Sequence, residues 1–85
     1  MTNDNKIPNT LRETRKQMGL SQLAVAEKLG FASTDRISRW EKGLTFPHVV
    51  NLFKLCAIYK VAPHELYGEL FSTISADVGK FPLED

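Results

Sequence analysis

The chain has 85 residues, a formal net charge of +1 and one cysteine, Cys56. This length predicts a single domain with a small core, and a composition of 42% hydrophobic and 25% charged residues is ordinary for a globular protein. No apolar run approaches the roughly 20 residues of a membrane span. The polar N-terminus leads into no apolar run, so we expect no signal peptide and no membrane partner. A lone cysteine cannot form an internal disulfide, which fits a reducing, cytoplasmic location.

The positive charge is concentrated in one part of the chain. Residues 6–42 hold eight basic and four acidic side chains, a net of +4. Residues 43–85 hold three basic and five acidic ones, a net of −2, and Asp4 supplies the remaining −1. A local basic excess is what phosphate binding requires. A randomly mottled surface would give similar numbers, so charge alone does not decide the function.

Glycine and proline residues divide the chain into helix-sized segments, and no period-two run predicts a strand. The first helix is predicted from about Pro8 to Met18, because proline is tolerated in a first helical turn. Thr10 and Glu13 also have capping-box spacing, which would place the start later. Ile7 and Met18 are expected to share the inward face of this helix.

The second predicted helix ends at Leu29, between Ser21 as N-terminal cap and Gly30 as stop. Its inward positions are Val25 and Ala26, and the small Ala26 allows a neighbouring helix to pack closely.

The third predicted helix begins near Ser33 or Thr34 and ends before Gly43. Ile37 and Trp40 form its inward face, because they are three residues apart. The polar side chains left to face outward are Thr34, Asp35, Ser38 and Arg39.

A fourth helix is predicted to follow Pro47 and to last to about Tyr59, and a short fifth helix is predicted with Pro63 as its first residue. The apolar stripe assigned to the fourth helix consists of Val49, Leu52, Phe53, Cys56 and Tyr59. In the tail, apolar residues recur at helical spacing up to Val78. Gly68 and a β-branched run weaken that pattern, and we expect a loose end after Val78.

With these residues in place, the chain resembles the Cro/CI-type helix-turn-helix regulators, also called the XRE family. The resemblance covers roughly residues 7–67. It is carried by Gly19-Leu20-Ser21-Gln22, Val25-Ala26, Leu29-Gly30, Ile37-Ser38-Arg39-Trp40-Glu41-Lys42-Gly43 and Pro47. It implies an all-α, compact five-helix bundle of the lambda-repressor-like type, in which helices two and three bind DNA. The expected organisation is a flexible segment 1–6, a DNA-binding domain 7–68, and a C-terminal extension 69–85 with helical spacing, which serves in dimerisation or docking.

The resemblance also implies which residues meet DNA. Gln22 would hydrogen-bond a phosphate or brace a base-contacting side chain. Arg39 would contact guanine, contact a phosphate, or remain solvated. Arg15 and Glu41 would form an internal ion pair. The full set of expected DNA-binding residues is Gln22, Ser33, Thr34, Asp35, Arg36, Ser38, Arg39, Lys42 and Thr45.

Two features depart from the commoner family pattern. Six residues separate Gly30 from Ile37, which is one more than usual, so the turn or the start of helix three must absorb the extra residue. Asp35 places a carboxylate near DNA. Phosphates would repel it unless it accepts from a cytosine amino group or is paired with Arg36 or Arg39.

The function predicted is sequence-specific binding of double-stranded DNA by a transcriptional regulator, acting as a homodimeric repressor on a palindromic operator. The expected dimer interface consists of Tyr67, Leu70, Phe71 and Ile74, unless the tail folds back on its own domain. The alternative function is a protein-interaction module or adaptor, including an antitoxin-like one. His48, His64 and Cys56 lack metal-ligand spacing, and no catalytic motif is present, so we expect no metal, no cofactor and no enzymatic activity.

Overall fold

The structure is a computed structural model that describes residues 6–79. Its six helices are α1 (Leu11–Gln17), α2 (Gln22–Leu29), α3 (Asp35–Glu41), α4 (Val49–Tyr59), α5 (Pro63–Leu66) and α6 (Gly68–Gly79). The described range contains no strand, and the predicted all-α fold class is confirmed. None of these helices is long and apolar enough to cross a membrane. The predictions for residues 1–5 and 80–85, a flexible start and a loose end, lie outside the described residues.

The boundaries of α2 follow from local signals and agree with the sequence prediction. The Ser21 hydroxyl accepts a hydrogen bond from the Ala24 backbone N–H at 3.0 Å, so it caps the helix. At the other end, Gly30 adopts a left-handed conformation with φ of +80°, which glycine adopts at little cost.

The start of α1 was predicted too early. The helix begins at Leu11, because the Asn9 side chain caps it: Asn9 Oδ1 accepts from the Leu11 N–H at 3.0 Å. The Asn9 amide also donates to the Trp40 carbonyl at 3.2 Å, which ties this helix start to the end of α3. The Thr10 hydroxyl donates to the Glu65 carbonyl at 2.9 Å and makes no capping contact with α1.

The core brings together residues from all five helices of the bundle. Its buried hydrophobic members are Leu11, Val25, Ala26, Leu29, Ile37, Trp40, Leu52, Leu55, Tyr59, Leu66 and Tyr67. The predicted stripe of α4 is wrong at Val49 and Phe53, which are exposed. Met18 is also exposed, because it lies beyond the last turn of α1.

The C-terminal extension is helical over its described residues, which end at Gly79, as its apolar spacing indicated. α6 tolerates its β-branched residues, and the Thr73 hydroxyl donates within the helix to the Glu69 carbonyl at 3.1 Å. No residue of α6 is buried. Residues 71–79 are all exposed, so this part of the tail does not fold back over the core.

Candidate nucleic-acid interface

The orientation of α3 is fixed by its two buried side chains. Ile37 and Trp40 are 1% and 5% exposed. Successive residues of a helix are rotated by about 100°. The direction opposite to Ile37 and Trp40 is therefore closest to Asp35 and to Lys42, the residue just after α3, with Arg39 and Ser38 on its two sides. Asp35, Arg39 and Lys42 are exposed, and Ser38 is half-buried. The structure thus presents one acidic and two basic side chains on the outward face of a seven-residue helix.

An ion pair joins α1 to the end of α3. The Arg15 Nε–H donates to Glu41 Oε2 at 2.6 Å, and the second guanidinium nitrogen, Nη2, donates to Glu41 Oε1 at 3.1 Å. Arg15 also donates to the Leu20 carbonyl at 3.0 Å. These are the partners that the family resemblance implied. Both side chains are at most one-tenth exposed, so each charge depends on the other for its satisfaction.

The hydrogen bond to Glu41 raises the pKa of Arg15 above its ordinary value, so the guanidinium stays charged. Tyr59 is close enough to feel both charges, and burial raises the pKa of its hydroxyl to about 12. The tyrosine therefore stays neutral beside the ion pair at any pH where DNA binding would be measured.

Gln22 extends this network to the surface. Its side-chain amide donates to Glu41 Oε1 at 3.0 Å. An amide nitrogen carries two N–H donors, so the second remains for a phosphate oxygen. The structure shows Gln22 donating to Glu41 of the internal ion pair, and both roles expected for Gln22, a phosphate contact or support of a base-contacting side chain, stay predictions.

A polar depression lies on one side of α3, between the N-terminal parts of α1 and α2. It is lined by Arg12, Arg15, Gln22, Ser38, Glu41 and Lys42. Ser38 is half-buried here, deeper than the outward face of α3. Sequence reasoning missed Arg12, although its position one helical turn before Lys16 and three residues before Arg15 marks a basic face of α1.

A second depression lies on the other side of α3, against the loop and the start of α4. Arg39 and Thr45 line it together with His48 and Asn51. Neither His48 nor Asn51 was expected at the interface. His48 is the N-terminal cap of α4 and Asn51 lies in its first turn, and no local sequence signal marks either residue as part of the interface.

The turn between α2 and α3 absorbs the extra residue, since α3 begins only at Asp35. Phe31 is half-buried, and its ring meets the Trp40 ring edge-on, with centroids 5.9 Å apart. The Arg36 guanidinium lies over the Phe31 ring, with its central carbon 4.5 Å from the ring centroid. Ser33 is exposed, and its hydroxyl accepts from the Asp35 N–H at 3.3 Å.

Asp35 is not paired in the way the sequence suggested. Within residues 6–79 the ion pair recorded is that of Arg15 with Glu41, and Arg36 is turned towards Phe31. Asp35 lines the same depression as Arg36 and Arg39. Its carboxylate is therefore free to accept a hydrogen bond from a base, and it faces the repulsion of any phosphate that comes close.

The described part of the chain contains no group of three His, Cys, Asp or Glu side chains that could hold a metal ion.

Comparison with known proteins gives one finding. A protein-family model described as helix-turn-helix matches residues 11–66, about two thirds of the chain. Searches of curated proteins and of solved structures returned no match. The matched range begins at α1 and ends with α5, so it contains the whole bundle and the polar surface around α3.

Proposed function

The chain belongs to the helix-turn-helix family of DNA-binding regulators, of the Cro/CI or XRE type, and we propose that it is a sequence-specific repressor that binds a palindromic operator as a homodimer. In this proposal α3 enters the major groove of double-stranded DNA, and Arg39 and Asp35 meet base edges there. Gln22, Arg12, Lys42 and Thr45 meet the sugar-phosphate backbone on either side.

The observation that supports this proposal is the way α3 is presented. Its apolar side is completely buried while Asp35, Arg39 and Lys42 stand exposed on the opposite side. Depressions whose linings include arginine side chains flank the helix on both sides. A helix presented in this way can approach base edges while its neighbours neutralise phosphates.

The experiment that tests DNA binding begins with selection of bound duplexes from a random pool. We expect an enriched sequence whose affinity falls steeply as salt rises, because bound phosphates release counterions. Arg39→Ala should reduce the preference for the selected sequence by about tenfold or more, since a bidentate contact with guanine contributes roughly 1–3 kcal/mol of discrimination. Lys54→Ala removes an exposed charge that lines neither depression and should leave the preference unchanged. Failure to bind any duplex at low salt would refute the proposal.

The exposed face of α6 supports the homodimer. Phe71 and Ile74 are 57% and 51% exposed, and Val78 lies one turn further along the same stripe. Leu70 is half-buried beside them, whereas Tyr67 is buried and packs against Phe46 with ring centroids 4.7 Å apart. Tyr67 therefore lies beneath this face. Of the four expected interface residues, Leu70, Phe71 and Ile74 are accessible to a second copy.

A dimer also fits the size of the interface, because one helix in one groove buries too little surface for specific binding at cellular salt. Sedimentation should show a concentration-dependent dimer that Phe71→Ser with Ile74→Ser converts to a monomer. The selected duplex should contain two half-sites about 34–36 Å apart. A wild-type monomer at high micromolar concentration, or a selected site without two-fold symmetry, would contradict the dimer and leave DNA binding standing. Repression itself is tested with a reporter whose promoter overlaps the selected site, where expression of the chain should lower transcription.

The same α6 face favours a second candidate function, a protein-interaction module that retains the helix-turn-helix fold. Its apolar stripe and the groove beside it, lined by Phe46, Pro63, His64 and Leu70, would accept a partner other than a second copy. Binding to a protein that is insensitive to salt, with no affinity for duplex DNA at low salt, would support this candidate over the first.

A further inference from the structure

We infer that the longer turn between α2 and α3, together with Arg36 in the first turn of α3, forms a binding site for one backbone phosphate of DNA, with the Arg36 guanidinium as its principal ligand. This inference rests on the proposed DNA-binding function and deepens it. It assigns Arg36 to the sugar-phosphate backbone and removes it from the set of side chains that read bases.

The Arg36 guanidinium contacts an aromatic ring that itself packs against the core. Arg36 lies 4.5 Å from the centroid of the Phe31 ring, and the Phe31 ring packs edge-on against Trp40 in the core. The Phe31 N–H donates to the Ala26 carbonyl at 2.9 Å, so the backbone of the turn is fixed as well. The aromatic ring that the guanidinium contacts is therefore held by the core of the domain, and Arg36 itself is exposed.

Arg36 points further from the outward direction of α3 than Arg39 does, although both side chains line the depression beside the start of α4. At about 100° per residue, Arg36 lies roughly 110° from the direction opposite to Ile37 and Trp40, whereas Arg39 lies roughly 50° from it. The guanidinium is drawn further to the side by its contact with Phe31. Phosphates border a groove and base edges form its floor, so a side chain on this flank meets the backbone.

The chemistry of the stacked group suits a phosphate. The guanidinium lies over the Phe31 ring and donates no hydrogen bond within residues 6–79, and two parallel N–H donors of a guanidinium match two phosphate oxygens. Among residues 6–79 no carboxylate forms an ion pair with Arg36, so its charge is not neutralised within the protein. The Ser33 hydroxyl lines the same depression as Arg36 and Phe31. Its oxygen accepts from the Asp35 N–H, so its proton is available to a further phosphate oxygen.

The test compares Arg36→Ala with Arg39→Ala on two duplexes, the selected one and one of unrelated sequence. We expect Arg36→Ala to weaken binding to both duplexes by the same factor, about tenfold at 0.15 M salt. It should also lower the slope of log affinity against log salt by about one. Arg39→Ala should act mainly on the selected duplex. The sequence selected by the Arg36→Ala variant from a random pool should match that of the wild type.

Phe31→Leu tests the stack, because it keeps an apolar side chain in the turn and removes the ring. It should weaken binding in the same sequence-independent way but less than Arg36→Ala does. In the double variant Phe31→Leu should add little, since both changes remove one interaction. Circular dichroism and thermal unfolding of each variant check that the fold is intact.

Two results would overturn the assignment while the wild type still binds its selected duplex. One is a changed selected sequence for Arg36→Ala at a constant salt slope, which would make Arg36 a base-reading residue. The other is unchanged affinity and salt slope, which would make the stack purely structural. Absence of any duplex binding by the wild type refutes the proposed function, and this assignment with it.

Discussion

Helices α3 and α6 are both amphipathic, but they differ in how much of each helix is buried. α3 has seven residues, two of them in the core, whereas α6 has twelve residues and none is buried. An isolated helix shorter than about 12–15 residues is marginal in water. α3 is the shorter helix and therefore depends more on tertiary contacts than α6 does. It is also the helix whose side chains pack in the core.

Three tertiary contacts involve the last turn of α3 or the residues just after it. Asn9 donates to the Trp40 carbonyl, Arg15 pairs with Glu41, and the Ile7 N–H donates to the Gly43 carbonyl at 2.9 Å. The helix proposed to enter the groove is thus part of the rigid core. The apolar stripe of α6 is left at the surface, where a second copy can cover it.

The largest expected difference between the two helices comes from removing the same side chain in each. Ile37 is 1% exposed and Ile74 is 51% exposed. Ile37→Ala should lower the free energy of unfolding by about 4 kcal/mol, because it removes buried methyl groups and leaves a cavity. Ile74→Ala should lower it by less than about 0.5 kcal/mol in the monomer.

Urea unfolding at a concentration where the chain is monomeric measures both values. At higher concentration only Ile74→Ala should weaken dimerisation. A large loss for Ile74→Ala in the monomer would mean that α6 packs on its own bundle after all.

The sequence predicts those features that depend on local signals. The limits of α2 follow from a capping serine and a glycine with positive φ, both within one turn of the helix. The buried face of α3 follows from the spacing of Ile37 and Trp40, because the other positions of that helix are polar or charged.

Features that depend on distant residues could not be predicted. The start of α1 is set by Asn9, whose side chain also contacts α3, and sequence proximity gives no sign of that contact. α4 is apolar around most of its circumference, so periodicity could not show that Val49 and Phe53 lie outside the core. The role of Phe31 in the turn depends on its packing against Trp40, nine residues later.

A smaller loss of stability is expected when the ion pair between Arg15 and Glu41 is broken. Arg15→Ala should lower the free energy of unfolding by about 3 kcal/mol, because Glu41 would remain buried without its cation. DNA affinity should fall as well, because the Gln22 amide donates to the same Glu41 carboxylate and would be displaced with it.

The control for this prediction removes both charges. Arg15→Met with Glu41→Leu should recover most of the lost stability, because apolar side chains of similar size avoid the uncompensated charge. An unchanged unfolding midpoint for Arg15→Ala would show that the ion pair contributes no net stability and that the apolar contacts alone fix α3.

The smallest expected difference separates the glycine after α3 from the glycine after α2. Gly43 and Gly30 have nearly the same φ, +76° and +80°, so alanine at either site carries the left-handed penalty of roughly 1–2 kcal/mol. A Cβ at Gly43 would also lie 2.5 Å from the Ile7 carbonyl oxygen, whereas a Cβ at Gly30 would meet nothing within 4 Å. The added cost at Gly43 comes from displacing the Ile7 backbone and weakening its hydrogen bond, which contributes about 1 kcal/mol. Gly43→Ala should therefore destabilise the domain by about 1 kcal/mol more than Gly30→Ala in urea unfolding. Equal losses would mean that the Ile7 segment yields freely and does not hold the end of α3 in place.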